Sequence, residues 1–111
     1  MAMLPAGKLD RRVTLMRTGA PIDDGYTTRP GELEELAQRW AWVKPAKGFE
    51  RFEAEGREAK RTMAFWMRHD EVTATLSETD AIELDGRRYE ITGISTLGRR
   101  EGIEALGTAG D

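Results

Sequence analysis

The stretch Trp40–Arg68, WAWVKPAKGFERFEAEGREAKRTMAFWMR, holds all three tryptophans and all three phenylalanines of the chain. It opens with one short apolar run, Trp40–Val43, and closes with another, Met63–Met67. Both are too short for independent helices and rich in residues that suit a pleated surface, so they read as strands. On a strand, side chains alternate between faces. Ala41 and Val43 therefore face one way and Trp40 and Trp42 the other; Met63, Phe65 and Met67 oppose Ala64 and Trp66. A sheet with one wet face alternates apolar with polar residues, and these strands do not. Their second face needs a cover, either the intervening segment of the same subunit or a neighbouring subunit.

The rest of the chain supplies the partners these two strands need. Val13 and Leu15 alternate with Arg12 and Thr14, a first strand with one wet face. Thr18–Arg39 differs in kind: Asp24-Gly25 and Pro30-Gly31 are turn signals, and Asp23, Asp24, Glu32, Glu34 and Glu35 face only Arg29 before Arg39. It reads as a long acidic loop, with a hairpin around Asp24-Gly25 and one helical turn over Glu32–Gln38. Pro45 ends the first core strand, because proline cannot continue a central ladder. Gly48 starts a short helix that places Phe49 and Phe52 on one face, and Gly56 ends it. His69–Thr79 is a polar loop or an irregular strand. Ile82–Ile91 is a β-hairpin: Ile82 and Leu84 alternate with Glu83, Tyr89 and Ile91 with Arg88 and Glu90, and Asp85-Gly86 supplies the pair of positive φ angles of a type I′ turn. Ser95–Arg100 turns the chain, Glu101–Leu106 returns as a last strand anchored by Ile103, and Gly107–Asp111 is a flexible tail. The sum is a mainly β chain of about six strands, with one short helix and the long acidic loop.

At 111 residues the chain makes one domain with a modest core. Lys and Arg number 17 against 20 Asp and Glu, a formal net charge of −3, which does not support chain-wide attraction to phosphate. Cysteine is absent, excluding disulfides and thiol catalysis. No run approaches the roughly 20 apolar residues of a membrane span, and the start lacks the pattern of a signal peptide, so the expectation is a soluble chain made in the cytosol with no membrane partner.

Catalytic patterns are missing. The one histidine, in His69-Asp70-Glu71, has neighbours that do not converge on one strand face and no second histidine to complete a zinc site. Ser77 and Ser95 lie in no nucleophile elbow, and no phosphate-binding glycine loop occurs. We expect no catalytic residue, no metal and no cofactor. A small β-barrel with surface aromatics would suit a single-stranded nucleic-acid-binding module, but such a site needs a basic groove. Between Lys47 and Arg61, Lys47, Arg51, Arg57, Lys60 and Arg61 are nearly balanced by Glu50, Glu53, Glu55 and Glu58, as on a solvated helix.

Four motifs in order resemble the tailed-phage head–tail joining family, the head-closure or stopper proteins: Gly7–Leu15, Trp40–Phe52 with its strand, proline and Gly-x-Glu-aromatic start, Asp85–Ile91, and Arg99–Leu106. The resemblance spans Gly7 to Leu106; the acidic Thr18–Arg39 segment and Trp42, where a polar residue is more usual, depart from it. It implies a small antiparallel β-barrel, a non-enzymatic role and a place in the neck of a tailed phage, a prophage particle or a gene transfer agent, assembled in the bacterial host cytoplasm. Copies of the chain would form a ring between the portal or adaptor ring and the tail or tail-terminator proteins. That ring would close the channel on packaged double-stranded DNA and support tail attachment.

A stopper must place backbone in the channel. Lys47–Lys60 suits that gate, with Lys47, Gly48, Phe49, Glu50, Arg51, Phe52 and Gly56 its expected residues, because its ends are anchored in the core and its glycines permit refolding. Subunit or partner contacts fall to Trp40, Trp42 and Trp66, and to Asp23, Asp24, Glu32, Glu34 and Glu35, whose carboxylates suit docking on a basic partner in the adaptor or tail.

Overall fold

The computed structural model describes residues 6–46 and 61–109. Eight strands follow in chain order: β1 (Arg11–Thr18), β2 (Ile22–Asp23), β3 (Thr28–Arg29), β4 (Leu33–Pro45), β5 (Arg61–Arg68), β6 (Ala81–Leu84), β7 (Arg87–Leu97) and β8 (Gly102–Ala109). Six of them close an antiparallel barrel in the order β1-β4-β5-β8-β7-β6, and β2 and β3 form a separate two-stranded ribbon. Closure gives each of the six strands two neighbours, and the interior is filled by side chains. Val13, Leu15, Ala41, Phe65, Met67, Ile82, Leu84, Tyr89, Ile91 and Ala105 pack there. Phe65 meets Tyr89 edge to face at 5.2 Å.

Local signals account for much of this. Asp85 and Gly86 have φ of 52° and 79°, the type I′ turn, with Leu84 opposite Arg87 and Ile82 opposite Tyr89. Pro45 sits where β4 has outrun β1: the β1 register ends at Arg11 opposite Ala41, and beyond it β4 pairs with β5 alone. Proline is tolerated on such a locally free edge.

Three expectations need correction. Leu33–Arg39 is neither loop nor helical turn but the first half of β4, so the connection runs only from Thr18 to Leu33. Leu33, Leu36 and Ala37 have helix-like spacing, yet the register shifts beside Leu15 and Met16, which leaves Leu36 as the extra residue of a β-bulge. Both Leu36 and Ala37 then reach the core, breaking the alternation that would have marked a strand. Gly107–Ala109 is not a tail but the end of β8. Gly107 is fixed there by space: a Cβ would come within 2.9 Å of Tyr89 Cβ and 3.1 Å of Phe65 Cε1. Ser95–Leu97, expected in a turn, completes β7. The expected helix after Gly48 and every gate residue lie outside the described residues.

The connection from β5 to β6 crosses one end of the barrel and plugs it. Its own Thr73 and Leu76 are buried, and a 3-10 turn spans Thr73–Thr75. Asp70 organises the crossing: its carboxylate accepts the backbone N–H of Val72 and Thr73, and its own N–H donates to Thr73 Oγ1. This reciprocal pattern is that of a capping box. Arg39 on β4 donates to the other carboxylate oxygen at 2.8 Å. At the far end of the crossing, buried Asp80 accepts Arg17 Nε and Nη2 at 3.0 Å each and the N–H of Ser77. Two arginines from β1 and β4 thus bolt the plug to the barrel.

Candidate functional site

Alternation along β4 and β5 puts an unusual set of side chains on the outside of the barrel. Trp42 stands opposite Trp66 in the register, with ring centroids 5.2 Å apart and planes at 79°. Lys44, two residues on, places Nζ 4.2 Å from the Trp42 ring centre and 3.5 Å from that of Trp66. An ammonium over an aromatic face is attracted by the ring quadrupole. Trp66 donates its indole N–H to Glu104 on β8 at 2.8 Å. Trp40 continues the row, 52% exposed, with the Arg12 guanidinium 5.2 Å from its ring. Arg12 also donates to Gln38. A groove of about 500 Å³ beside this row is lined by Lys44, Pro45, Ala46, Ala64, Trp66, Glu104 and Leu106. Ala64 points outward and is nevertheless only 3% exposed, so this face is not the wet face of an ordinary two-sided sheet.

The acidic residues gather elsewhere. Gly19 donates its N–H to the Glu32 carbonyl, and Gly31 lies against the backbone of Gly19 and Ala20, where no side chain would fit. This pinch starts the ribbon. At its tip Asp23 accepts the N–H of Gly25, and Asp24 accepts those of Tyr26 and Thr27. The Thr27 and Tyr26 N–H groups hold the Asp24 carboxyl below its ordinary range, so the tip keeps its charge into mild acid. Tyr26 is 94% exposed. Glu34 and Glu35 lie exposed on β4 opposite Arg17 and Met16, and Glu32 is exposed just before the strand. None of these five carboxylates has an ion-pair partner among the described residues.

The structure therefore brings Trp40, Trp42 and Trp66 together and keeps them apart from Asp23, Asp24, Glu32, Glu34 and Glu35. Sequence reasoning missed Arg12, Lys44, Glu104 and Tyr26. Lys44 has the same strand parity as Trp40 and Trp42 and could have been found from it; Glu104 depends on the β5–β8 register, which no local signal carries. Burial pushes the Asp70 carboxyl up, but the Thr73 N–H, Arg39 and the Val72 N–H outweigh it and hold it below the usual carboxylate range. That makes Asp70 a structural anchor. Among the described residues no group of three or more His, Asp or Glu side chains could hold a metal, and no helix is long and apolar enough to cross a membrane.

A family model described as phage head completion protein matches residues 4–109. No curated protein matches the chain. The solved chains that match its fold include two that cover nearly all of it. One is the solution structure of a Shigella flexneri 2a protein, 22% identical, with a TM-score of 0.71 over 96% of this chain and 97% of that one. The other is a chain of the virion of a native gene transfer agent particle, 14% identical, with a TM-score of 0.60 over 92% of this chain and 94% of that one.

Proposed function

Because the chain belongs to the phage head completion protein family, we propose that it is a structural protein of the neck of a tailed phage or phage-like particle. In this reading its copies form a ring between the portal or adaptor and the tail, close the DNA channel after packaging and support tail attachment. The gene transfer agent virion that shares the fold supports a place in a particle. The observation that carries the assembly part is the outer face of β4 and β5. A closed barrel already satisfies its backbone, so three tryptophans on the outside serve something other than the core, and such clusters characterise protein interfaces. The family is one of particle components rather than enzymes. The chain-wide net charge of −3 is compatible with a channel that does not grip the duplex through many phosphate contacts.

The test is to assemble particles without the chain. Filled heads that lose their DNA to added nuclease and lack tails are the expected product. Tailed particles with protected DNA would sink the proposal.

Arg12 and Lys44 beside the tryptophan rings favour a second reading, a sequence-tolerant binder of single-stranded nucleic acid. Against it stand Glu104 in the same face and the absence of a continuous basic groove in the described residues.

A further inference from the structure

We propose that the outer face formed by Trp40, Trp42, Lys44 and Trp66 with Arg12 receives the ribbon tip, Asp23–Tyr26, of the next copy of this chain. The proposal rests on the ring reading above and adds which two surfaces meet.

Three observations carry it. Tyr26 and Trp40 are the large apolar side chains left exposed among the described residues, one on the ribbon and one on the face. Their charges are complementary. Among the described residues, Arg12 and Lys44 lie over tryptophan rings with no carboxylate partner, while Asp23 and Asp24, just before Tyr26, have no cation partner. Glu104, a carboxylate on this face, accepts the Trp66 indole N–H. The groove beside Trp66, about 500 Å³, is roomy enough for a tyrosine ring. Its lining residues Ala64, Pro45 and Leu106 offer apolar surface for the Tyr26 ring and Lys44 a positive charge for the carboxylates that precede it, while Glu104, also in the lining, is held by the Trp66 indole.

The contact is between copies, not within one. Tyr26 at 94% exposure touches little of its own chain. The ribbon leaves the barrel where Thr18 pairs with Leu33, whereas Trp40 lies seven residues further along β4, roughly 20 Å at the rise of a strand. A contact that uses one surface on the giver and a different one on the receiver is head-to-tail, the kind of contact that builds a ring when its rotation closes.

The chain has no cysteine, so single introduced cysteines report contacts cleanly. Thr27→Cys marks the tip and Gln38→Cys the face, both at exposed positions. The two variants, differently tagged, are co-expressed in particle-forming cells and treated with a short bis-maleimide. The proposal expects a cross-linked pair joining the two tags in purified particles, absent from a control pairing Thr27→Cys with the exposed Glu83→Cys. It also expects loss of the pair when Tyr26→Ala or Lys44→Glu is added; Tyr26 is too exposed for its loss to unfold the barrel. If the chain is present in particles but the pair does not exceed the control, the proposal is overturned and the ring reading survives. Thr27→Cys linking instead to a different neck protein overturns it too. So does Lys44→Glu abolishing retention of labelled single-stranded DNA while leaving the cross-link unchanged. Particles that never contain the chain remove the ring reading, and this proposal with it.

Discussion

Trp42 and Trp66 stand edge to face across β4 and β5 on the outside of a closed barrel, with the Lys44 ammonium over both rings. Their backbone neighbours Val43 and Phe65 point inward to the core. One strand pair thus presents two different faces, one packed in the core and one carrying the aromatic cluster.

That separation predicts opposite outcomes for neighbouring truncations. Val43→Ala removes part of a partly buried core side chain and should lower stability by about 1 kcal/mol with little effect on incorporation into necks. Trp42→Ala should weaken incorporation more than it lowers the melting temperature. Paired melting curves and particle-incorporation assays decide it; equal melting losses would make Trp42 an ordinary packing residue.

Gly107→Ala should destabilise the barrel by about 1–3 kcal/mol, because the new methyl meets Tyr89 Cβ and the Phe65 ring rather than open space. Denaturant unfolding is the measurement. An unchanged midpoint would show that β8 shifts freely at this point.

These core and surface assignments differ in how far the sequence alone carries them. The Asp85-Gly86 hairpin and the inward faces of Val13, Leu15, Phe65 and Met67 are legible because turn chemistry and alternation are local. The β4 extension is not, because the bulge at Leu36 gives a strand the apolar spacing of a helix. The end of β8 is not, because glycine and alanine carry no hydrophobic signal and Gly107 is needed for its smallness. The tryptophan cluster is half legible: parity places Trp40 and Trp42 together, but their meeting with Trp66 and Glu104 depends on pairings between strands distant in sequence.

The bolt from Arg17 to the buried Asp80 should cost more to break than the exposed pair of Arg11 with Asp85 at the β6–β7 turn. Arg17→Met leaves the buried Asp80 carboxylate with the Ser77 N–H as its remaining donor among the described residues and should cost about 2 kcal/mol, against well under 1 kcal/mol for Arg11→Met at the exposed pair with Asp85. Urea unfolding of both variants tests this, and equal small effects would contradict it.

Asp70 predicts a pH dependence. Its carboxyl is held below the ordinary range in the folded chain. The folded state therefore binds fewer protons than the unfolded state across that window, and stability rises with pH there. The Asp70 contribution should be fully present above the unfolded carboxyl value of about 3.9 and lost as pH falls through the lower folded value. Asp70→Asn keeps an acceptor for the Val72 and Thr73 N–H groups but cannot titrate. Its stability deficit should be constant near neutral pH and shrink in acid, as read by unfolding midpoints; a deficit that grows in acid would be the wrong sign.

The central claim is that this barrel is a repeated element of a particle neck. Reconstructing the neck of purified particles by electron microscopy, with and without an antibody fragment against a tag on the chain, tests it most directly. The account predicts several copies of the six-stranded barrel around the channel axis between head and tail, with the label on that ring. Label on the capsid shell or the tail tube, or a neck ring built of a different chain, would contradict it.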